Sequence, residues 1–309
     1  MSFLIGPAGF DYPDWYGRVY PVAKKSKSFD PLAYLAEHFD LMEINSSYYG
    51  PPKPATVRAW CQRVAHNPRF EFTAKLYKGF THERSKPWSS DDEKAVREAF
   101  DAFMAEGKLG AVLMQFPWSF KRQEDTSAWL ARVVGAFKAY PLVLEVRHAS
   151  WNEPNTYERL SEHGVGICNI DQPLFRNSIK PAAWRTSGVG YVRLHGQNYQ
   201  DWFRAAATRD ERYDFLYGEE KLKPWVERLK DLHEKVPKVF VVTNNHYGGQ
   251  AVVDAALFQA MLLEESRVPA PLVEHYREAL KPALAKPAKP KTPAQPQTTG
   301  EPAPATPWT

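Results

Sequence analysis

Short runs of apolar residues recur along this chain, and each ends in one or two polar residues. Helical patterns of hydrophobic residues lie between most consecutive runs. This alternation predicts an α/β fold with a parallel sheet, and eight such units in 309 residues predict closure into a single TIM-type (β/α)8 barrel. The eight predicted strands are 3–9, 41–47, 70–76, 110–117, 141–148, 164–171, 190–196 and 238–245.

The polar residues at the strand ends predict where a site lies. In TIM-type barrels the carboxyl ends of the strands form one rim, and that rim carries the active site. The residues at or near these ends are Glu43, Asn45, Lys75, Gln115, Glu145, Arg147, Asp171, Arg193, His195, Asn244 and Asn245. We therefore expect their side chains to converge at one end of the barrel.

Two pairs of residues indicate which side chains enter the barrel mouth. Glu43 and Asn45 are two positions apart on one strand, as are Glu145 and Arg147 on another, so each pair shares a face. Their apolar neighbours must contact the helical layer, which leaves the polar pairs facing inward. The alternative to a functional site is a layer of ion pairs that only fills the barrel. Buried charges are costly, and at least five strands contribute one at the same end, so we favour a functional site. We also expect Glu145 to lie within ion-pair reach of an arginine or lysine, which would keep it ionised.

We divide the candidate residues by the chemistry that their side chains offer. The predicted catalytic residues are Glu43, Lys75, Glu145, Asp171 and His195. The predicted substrate-binding residues are Trp15, Asn45, Tyr49, Gln115, Arg147, Arg193, Asn244 and Asn245. Carboxylates and a histidine can move protons, whereas cations and amides can hold an anionic or hydroxyl-bearing ligand.

Several of these assignments have a structural alternative. His195 is either a general acid or base, or a hydrogen-bonded spacer. Lys75 either neutralises a phosphate or an oxyanion, or pairs with Glu43. Asp171 and Asn245 either reach the ligand or cap the turns that follow their strands.

The sequence predicts no metal and no cofactor. It contains no H-E-x-x-H motif and no C-x-x-C pair. The residues that would have to form a metal site are Glu145, Asp171, His195 and His246. Arg147 and Arg193 at the same end of the barrel oppose the binding of a concentrated dication.

The composition changes near residue 281. We predict a barrel over 1–265, a C-terminal helical extension over 266–280, and a disordered tail over 281–309 that is rich in Pro, Ala and Lys. Four lysines against one glutamate place +3 of the net charge of +4 in this tail. The nearly neutral remainder weakens any argument from net charge for a nucleic-acid partner.

The two cysteines and the apolar runs bear on the compartment. Cys61 and Cys168 lie in unrelated segments, and the N-terminus enters a strand without the pattern of a signal peptide. No stretch approaches the roughly 20 apolar residues that cross a bilayer. We therefore predict a cytoplasmic protein with reduced cysteines and no membrane association, whose oligomeric state stays open.

Loops after the first, third and seventh predicted strands combine aromatic and basic residues. They include Tyr16, Lys24, Lys25, Lys27, Phe80, Arg84, Trp88, Tyr199, Trp202, Phe203, Arg212 and Tyr213. Aromatic faces beside cations suit stacked nucleic-acid bases or sugar rings. Packing of the aromatic rings on the barrel is the alternative.

A set of local motifs resembles a known family. The motifs are Ile5-Gly6 through Gly9-Phe10, Trp15-Tyr16-Gly17, 42–49, Gln115-Phe116-Pro117, 145–148 with Ser150-Trp151, 193–196 and Asn244-Asn245. In this order they resemble the YecE-like family, the bacterial domain of unknown function 72. The resemblance implies a single TIM-type barrel without an established activity. It also implies a likeness to endonuclease IV and xylose isomerase barrels, which suggests nucleic-acid or sugar chemistry by analogy.

Three functions of different classes follow from these features. The first is a metal-independent enzyme that acts on a small anionic sugar- or nucleotide-type substrate at the barrel mouth. The second is a nucleic-acid-binding module that uses the aromatic and basic loops. The third is a glycoside-type hydrolase in which Glu43 and Glu145 are the paired carboxylates. We favour the small anionic ligand, because Lys75, Arg147 and Arg193 accompany the carboxylates.

Overall fold

A computed structural model describes residues 2–287 of the chain, apart from the side chain of Arg209; Met1 and residues 288–309 lie outside it. Within this part, eight parallel strands stand in the order β1-β8-β7-β6-β5-β4-β3-β2. The predicted (β/α)8 barrel is therefore confirmed. The strands are β1 Ser2–Pro7, β2 Leu41–Ile44, β3 Glu71–Lys75, β4 Leu109–Gln115, β5 Leu142–Glu145, β6 Gly166–Asp171, β7 Val189–Leu194 and β8 Lys238–Thr243.

The barrel closes between its first two strands. Ala8, just beyond β1, forms a parallel bridge with Glu43 of β2, and the Gly9 N–H donates to the Glu43 carbonyl oxygen at 2.9 Å. Gly6 makes this approach possible, because a Cβ at that position would lie 1.9 Å from the carbonyl oxygen of Leu41. Closure leaves no open sheet edge and brings all eight strand ends to one mouth.

Helices connect the strands and cover the barrel. They are α1 Pro31–His38, α2 Pro54–Arg63, α3 Lys78–Thr81, α4 Ser90–Ala105, α5 Glu124–Phe137, α6 Pro154–Glu162, α7 Arg209–Arg212, α8 Gly218–Lys235, α9 Gln250–Leu262 and α10 Ala270–Leu284. No helix in residues 2–287 is both long enough and apolar enough to cross a bilayer.

The C-terminal boundaries differ from those expected. Helix α10 begins at Ala270 and continues to Leu284, four residues past the boundary expected at 280. Leu280 and Ala283 are buried, so apolar contacts hold the last turn in place although the composition there is already that of the tail. Most of the tail predicted to be disordered, residues 288–309, lies outside the described residues.

Alternation along the strands divides the apolar side chains between two cores. The outer faces pack against the helices, and the inner faces fill the barrel. Near the carboxyl ends the inward positions change in character. Val143 is followed two positions later by Glu145, and Tyr191 by Arg193, so a charged layer lies on top of the apolar interior.

Candidate functional site at the barrel mouth

Arg193 lies at the centre of the charged layer. Its Nη2 donates to Glu43 Oε1 at 2.6 Å and its Nη1 to Glu145 Oε2 at 2.6 Å. All three residues are at most 1% exposed. The guanidinium therefore bridges two buried carboxylates from different strands. The planar, forked guanidinium of arginine allows this geometry, whereas the ammonium group of lysine does not.

Glu145 is the most heavily engaged carboxylate. Besides Arg193, its Oε1 accepts from Arg147 Nε and Nη2 at 3.1 and 3.0 Å and lies 3.1 Å from His195 Nε2. Burial opposes its ionisation, but Arg193 and the other positive partners outweigh burial and hold the pKa of Glu145 well below its ordinary value. The expected ion pair of Glu145 is confirmed, and the group is a poor proton donor near neutral pH.

Glu43 is also held by Tyr191, which in turn contacts Thr73, and the sequence did not single out either of these residues. The Tyr191 hydroxyl donates to Glu43 Oε2 at 2.9 Å and lies 2.9 Å from Thr73 Oγ1. Tyr191 precedes Arg193 by two positions, and Thr73 precedes Lys75 by two, so each shares the inward face of a predicted site residue. Strand alternation was the signal that could have identified them.

His195 has a partner at each ring nitrogen. Nε2 faces Glu145 Oε1, and Nδ1 lies 3.0 Å from Asn244 Nδ2. Burial lowers the pKa of His195 to about 3, so the ring is neutral at physiological pH. Arg147 Nη2 and Arg193 Nη1 each lie 3.4 Å from Nε2 as well, so both ring nitrogens are engaged by protein groups. The geometry thus favours the hydrogen-bonded spacer over the free general base.

Lys75 has a different environment from the arginines. Its Nζ donates to Gln115 Oε1 at 2.9 Å and lies 4.4 Å from the centre of the Tyr48 ring. Within residues 2–287 it forms no salt bridge with an Asp or Glu, so the alternative pairing with Glu43 does not form. Burial and the nearby charge of Arg193 lower the pKa of Lys75 to about 8.

A cavity of about 270 Å³ opens above the charged layer. Of the residues that the structure describes, no Asp or Glu lines it. A smaller cavity, of about 70 Å³, lies between α5 and α6 in the outer layer, where none of the strand-end charges reaches. The residues lining the mouth cavity are Tyr12, Asn45, Tyr48, Tyr49, Lys75, Gln115, Arg147, Arg193, Arg212, Tyr213, Asn244 and His246.

Two predicted site residues stand at the correct end of the barrel but face the helices. Asp171 accepts from Gln197 Nε2 at 3.1 and 3.0 Å. Asn245 Nδ2 donates to Asp254 of α9 and to the Phe215 carbonyl oxygen, both at 2.7 Å. Successive side chains along a strand point to opposite faces, and the residues next to Asp171 and Asn245 in sequence point into the barrel. Asp171 and Asn245 therefore point outward. Their contacts therefore fit the alternative that they secure the loops after their strands.

Trp15 is also absent from the cavity wall. It is fully buried, and its indole N–H donates to the His246 carbonyl oxygen at 2.7 Å. Its ring packs against Tyr12 at 4.8 Å. Trp15 therefore anchors the first loop against the end of β8, and the lining residue Tyr12 depends on it for its position.

The four residues considered for a metal do not come together. Glu145 and His195 are in contact, but Asp171 faces the helical layer and the ring of His246 stacks on Tyr12 at 4.5 Å. Across residues 2–287, no group of three or more His, Cys, Asp or Glu side chains has the arrangement of a metal site.

The aromatic loops divide into buried and exposed parts. Phe80 and Trp202 are buried, whereas Phe203 and Tyr199 are 54% and 50% exposed. Phe203 lies 5.6 Å from Trp118 and 4.7 Å from Phe175, so loops after three strands share one exposed aromatic patch beside the mouth. In the first loop, Lys25 is paired with Asp11, which lowers the net positive charge there.

The fold and the charged layer define a (β/α)8-barrel protein with a cation-lined mouth. The chain belongs to the family described as "Protein of unknown function DUF72", whose profile matches residues 4–277. This membership confirms the resemblance seen in the motifs.

Individual relatives agree with the family assignment. The UPF0759 protein YunF of Bacillus subtilis is 28% identical over 246 residues, which is 75% of this chain and 86% of the relative. A solved DUF72 family protein from Thermotoga maritima is 31% identical, with a TM-score of 0.73, over 85% of this chain and 100% of the other. A second one, from Enterococcus faecalis, is 24% identical, with a TM-score of 0.74, over 85% and 96%.

Proposed function

We propose that this protein is a metal-independent enzyme that binds a small anionic sugar- or nucleotide-type ligand in the mouth cavity and acts on it there. One observation carries the proposal: the cavity wall presents Lys75, Arg147 and Arg193 but, within the described residues, no carboxylate. The two carboxylates of the layer, Glu43 and Glu145, lie beneath that wall and are fully buried. An entering ligand therefore meets positive charge.

The charge balance supports an anion as the ligand. Three cations face two carboxylates in the layer, and both carboxylates are engaged by Arg193. One positive charge is left over, and Lys75 is the group without a carboxylate partner. An anionic ligand would supply the missing negative charge and replace water at a site where the dielectric is low.

The rest of the wall suits hydroxyl groups and rings. Asn45, Gln115 and Asn244 offer amide donors and acceptors, and Tyr48 and Tyr49 offer aromatic faces. A cavity of about 270 Å³ lies close to the lower end of the roughly 300–1,000 Å³ that small-molecule sites occupy, which favours a small ligand. A phosphorylated sugar or a mononucleotide has both the charge and the size for such a wall.

The glycoside-type alternative is less well supported. A hydrolase of that type needs one carboxylic acid that donates a proton and a second carboxylate that attacks or activates water. Glu145 has a lowered pKa, and Glu43 accepts from both Arg193 and Tyr191. Both carboxylates serve to hold arginines in this arrangement. We therefore assign Glu43, Glu145 and His195 to positioning, and Lys75 to contact with the substrate.

The proposal is tested by matched pairs of charged and neutral ligands. Thermal unfolding is measured with ribose 5-phosphate against ribose, glucose 6-phosphate against glucose, and AMP against adenosine. A ligand at 100 times its Kd stabilises the folded state by about 2.7 kcal/mol, so phosphorylated members should raise Tm and neutral ones should not. Equal shifts for both members of every pair, or no shift with any of them, would contradict the proposal.

A nucleic-acid-binding module is the second candidate, and the exposed aromatic patch beside the mouth favours it. The rings of Trp118, Phe175 and Phe203 are in contact, and the exposed Lys121 and Arg176 follow Trp118 and Phe175 within three residues of the chain, which suits stacked bases beside phosphates. Single-stranded and duplex oligonucleotides are titrated at two salt concentrations. Salt-sensitive binding that Phe203→Ala weakens supports this candidate, and no binding at low salt eliminates it.

We also place the protein in the cytoplasm. Cys61 and Cys168 are both buried free thiols, which fits a reducing compartment. Fractionation of cells that express the native chain, with antibody detection, tests this assignment.

A further inference from the structure

We propose that Lys75 forms a Schiff base with the substrate, so that the anionic ligand of the mouth is an aldehyde or a ketone. This inference rests on the proposed function and makes it more specific. It concerns the nucleophile and the reacting group of the ligand, neither of which follows from anion binding alone.

The position of Lys75 is the first support. It is the last residue of β3, and its Nζ reaches the cavity wall beside Gln115 and Tyr48. Among the described residues that line the cavity, Lys75 is the one that carries a primary amine. Arginine guanidinium groups remain protonated and do not add to carbonyl groups, so Arg147 and Arg193 can bind the ligand but cannot react with it.

The surroundings of Lys75 raise the fraction of the neutral amine, which is the nucleophilic form, above that of an ordinary lysine. Burial, together with the charge of Arg193, lowers its pKa to about 8, and a cationic neighbour is one of the known ways to activate a lysine for Schiff-base chemistry. Lys78, three residues later, has the opposite environment. It is paired with Glu83 at 2.6 Å, and that hydrogen bond raises its pKa.

The wall also suits the product of the addition. The ammonium of Lys75 and the carbonyl compound give a protonated imine and one water molecule. The amine nitrogen loses two protons to the departing carbonyl oxygen, keeps the third, and forms the C=N bond, so atoms and charge balance. The resulting cation would lie where Nζ now lies, 4.4 Å from the centre of the Tyr48 ring, whose face attracts positive charge.

The arginines explain why the carbonyl compound should carry an anionic group. Arg147 is partly exposed to the cavity while Glu145 holds its guanidinium from below. A carboxylate or phosphate bound there would fix the ligand beside Lys75 and convert the addition into an effectively intramolecular step.

The experiment is reductive trapping. The protein is incubated with sodium cyanoborohydride and dihydroxyacetone phosphate, pyruvate or uncharged dihydroxyacetone, and the modified lysines are identified by peptide mass spectrometry. At pH 7 the neutral fraction of Lys75 should exceed that of an ordinary lysine on the order of 100-fold, so modification should concentrate at this residue. The rate of modification should rise with pH and reach half of its maximum near pH 8.

Two lysine variants make the result specific. Lys75→Arg has no primary amine, so the adduct at this position should disappear. Lys78→Arg, three residues later at the start of α3, is the matched control and should retain the full adduct at Lys75. The anionic compounds should label Lys75 faster than dihydroxyacetone does.

Failure of this inference is distinguishable from failure of the proposed function. Stabilisation by anionic ligands without an adduct at Lys75 overturns the Schiff base and leaves anion binding in place. Labelling spread evenly over exposed lysines also overturns it. If no anionic ligand stabilises the protein, the proposed function itself is wrong.

Discussion

Two groups of buried polar residues lie at the same end of the barrel and differ in how their carboxylates are neutralised. In the inner cluster, defined as Glu43, Glu145 and Arg193, a guanidinium donates to both carboxylates at 2.6 Å. Positive charge holds the pKa of Glu145 well below its ordinary value despite complete burial. The inner cluster therefore retains its charges.

The outer cluster, defined as Asp171, Tyr217, Asn245 and Asp254, lies between the strands and helices α8 and α9. Among the residues that the structure describes, the donors to Asp254 are neutral, namely Asn245 Nδ2 and the N–H groups of Tyr217 and Gly218. Burial raises its pKa to about 7, and burial also raises the pKa of Asp171. Without a guanidinium, hydrogen bonds alone do not offset the cost of desolvation.

The contrast teaches how to separate a candidate site from a structural polar cluster. Each cluster contains two carboxylates, so residue type does not distinguish them. In the inner cluster Arg193 also faces an open cavity, whereas the outer cluster makes hydrogen bonds to loop backbone. Tyr217 accepts from the Gly196 N–H at 2.9 Å and thereby fixes the turn after β7. The inner cluster is arranged toward a ligand, and the outer cluster toward the fold.

The largest effect should come from Arg193→Met. This change leaves Glu43 and Glu145 buried without the guanidinium that bridges them, and loss of one partner of a buried ion pair costs about 3–5 kcal/mol. Urea unfolding at pH 7 measures the loss. Arg58→Met, on the exposed face of α2, is the control and should change stability little. A loss below about 1 kcal/mol in Arg193→Met would show that the inner cluster does not depend on the bridge.

Asp254→Asn tests the outer cluster through pH. The folded-state pKa of Asp254 is raised, so the folded protein binds this proton more tightly than the unfolded chain does. The resulting stabilisation is complete below about pH 4 and is lost as pH rises through 7, which amounts to at most about 2–3 kcal/mol between pH 5 and 8. Urea unfolding across this range should show the decline in the wild type and a flatter curve in the variant. Parallel curves would contradict the raised pKa.

Arg147→Met should separate binding from stability. Arg147 contacts both Glu145 and the cavity, while Arg193 still neutralises Glu145 in the variant. We expect roughly 10- to 100-fold weaker binding of a phosphorylated ligand, since a charge-assisted hydrogen bond contributes about 1.5–3 kcal/mol. Calorimetric titration measures this effect, and Arg176→Met, exposed in the loop after β6, is the control. Unchanged affinity would mean that Arg147 does not contact the ligand.

The smallest effect should come from Tyr217→Phe. The variant loses the hydroxyl that accepts from the Gly196 N–H and is hydrogen-bonded to Asp171, and a hydrogen bond contributes about 1 kcal/mol. Stability should fall by about 1–2 kcal/mol in urea unfolding while ligand affinity stays the same. A clear loss of affinity would show that the outer cluster controls the mouth and would remove the distinction between the two clusters.

Strand alternation accounts for how much of the site the sequence could predict. The positions of Glu43 and Glu145 were clear, because their apolar neighbours identify the face that meets the helices. Asp171 lies in a strand in which every residue from Gly166 onward is buried on one face or the other. Because both faces of such a strand are buried, its hydrophobic pattern does not show which side chains point into the barrel and which point to the helices. Asp171 and Asn245 were therefore assigned to the mouth although they face outward.

The sequence by itself determined the order of strands and helices, the barrel, the family and the end at which the charged residues collect. These properties follow from local patterns, because alternation and strand direction are set within each unit of the chain. The tertiary structure decided which charges pair. Arg193 and Glu43 are 150 positions apart, and Arg193 and Glu145 are 48 apart. Their contact depends on closure of the barrel and on side-chain reach across its interior, which no local pattern contains. That pairing leaves Lys75 without a carboxylate partner and gives the mouth its positive wall.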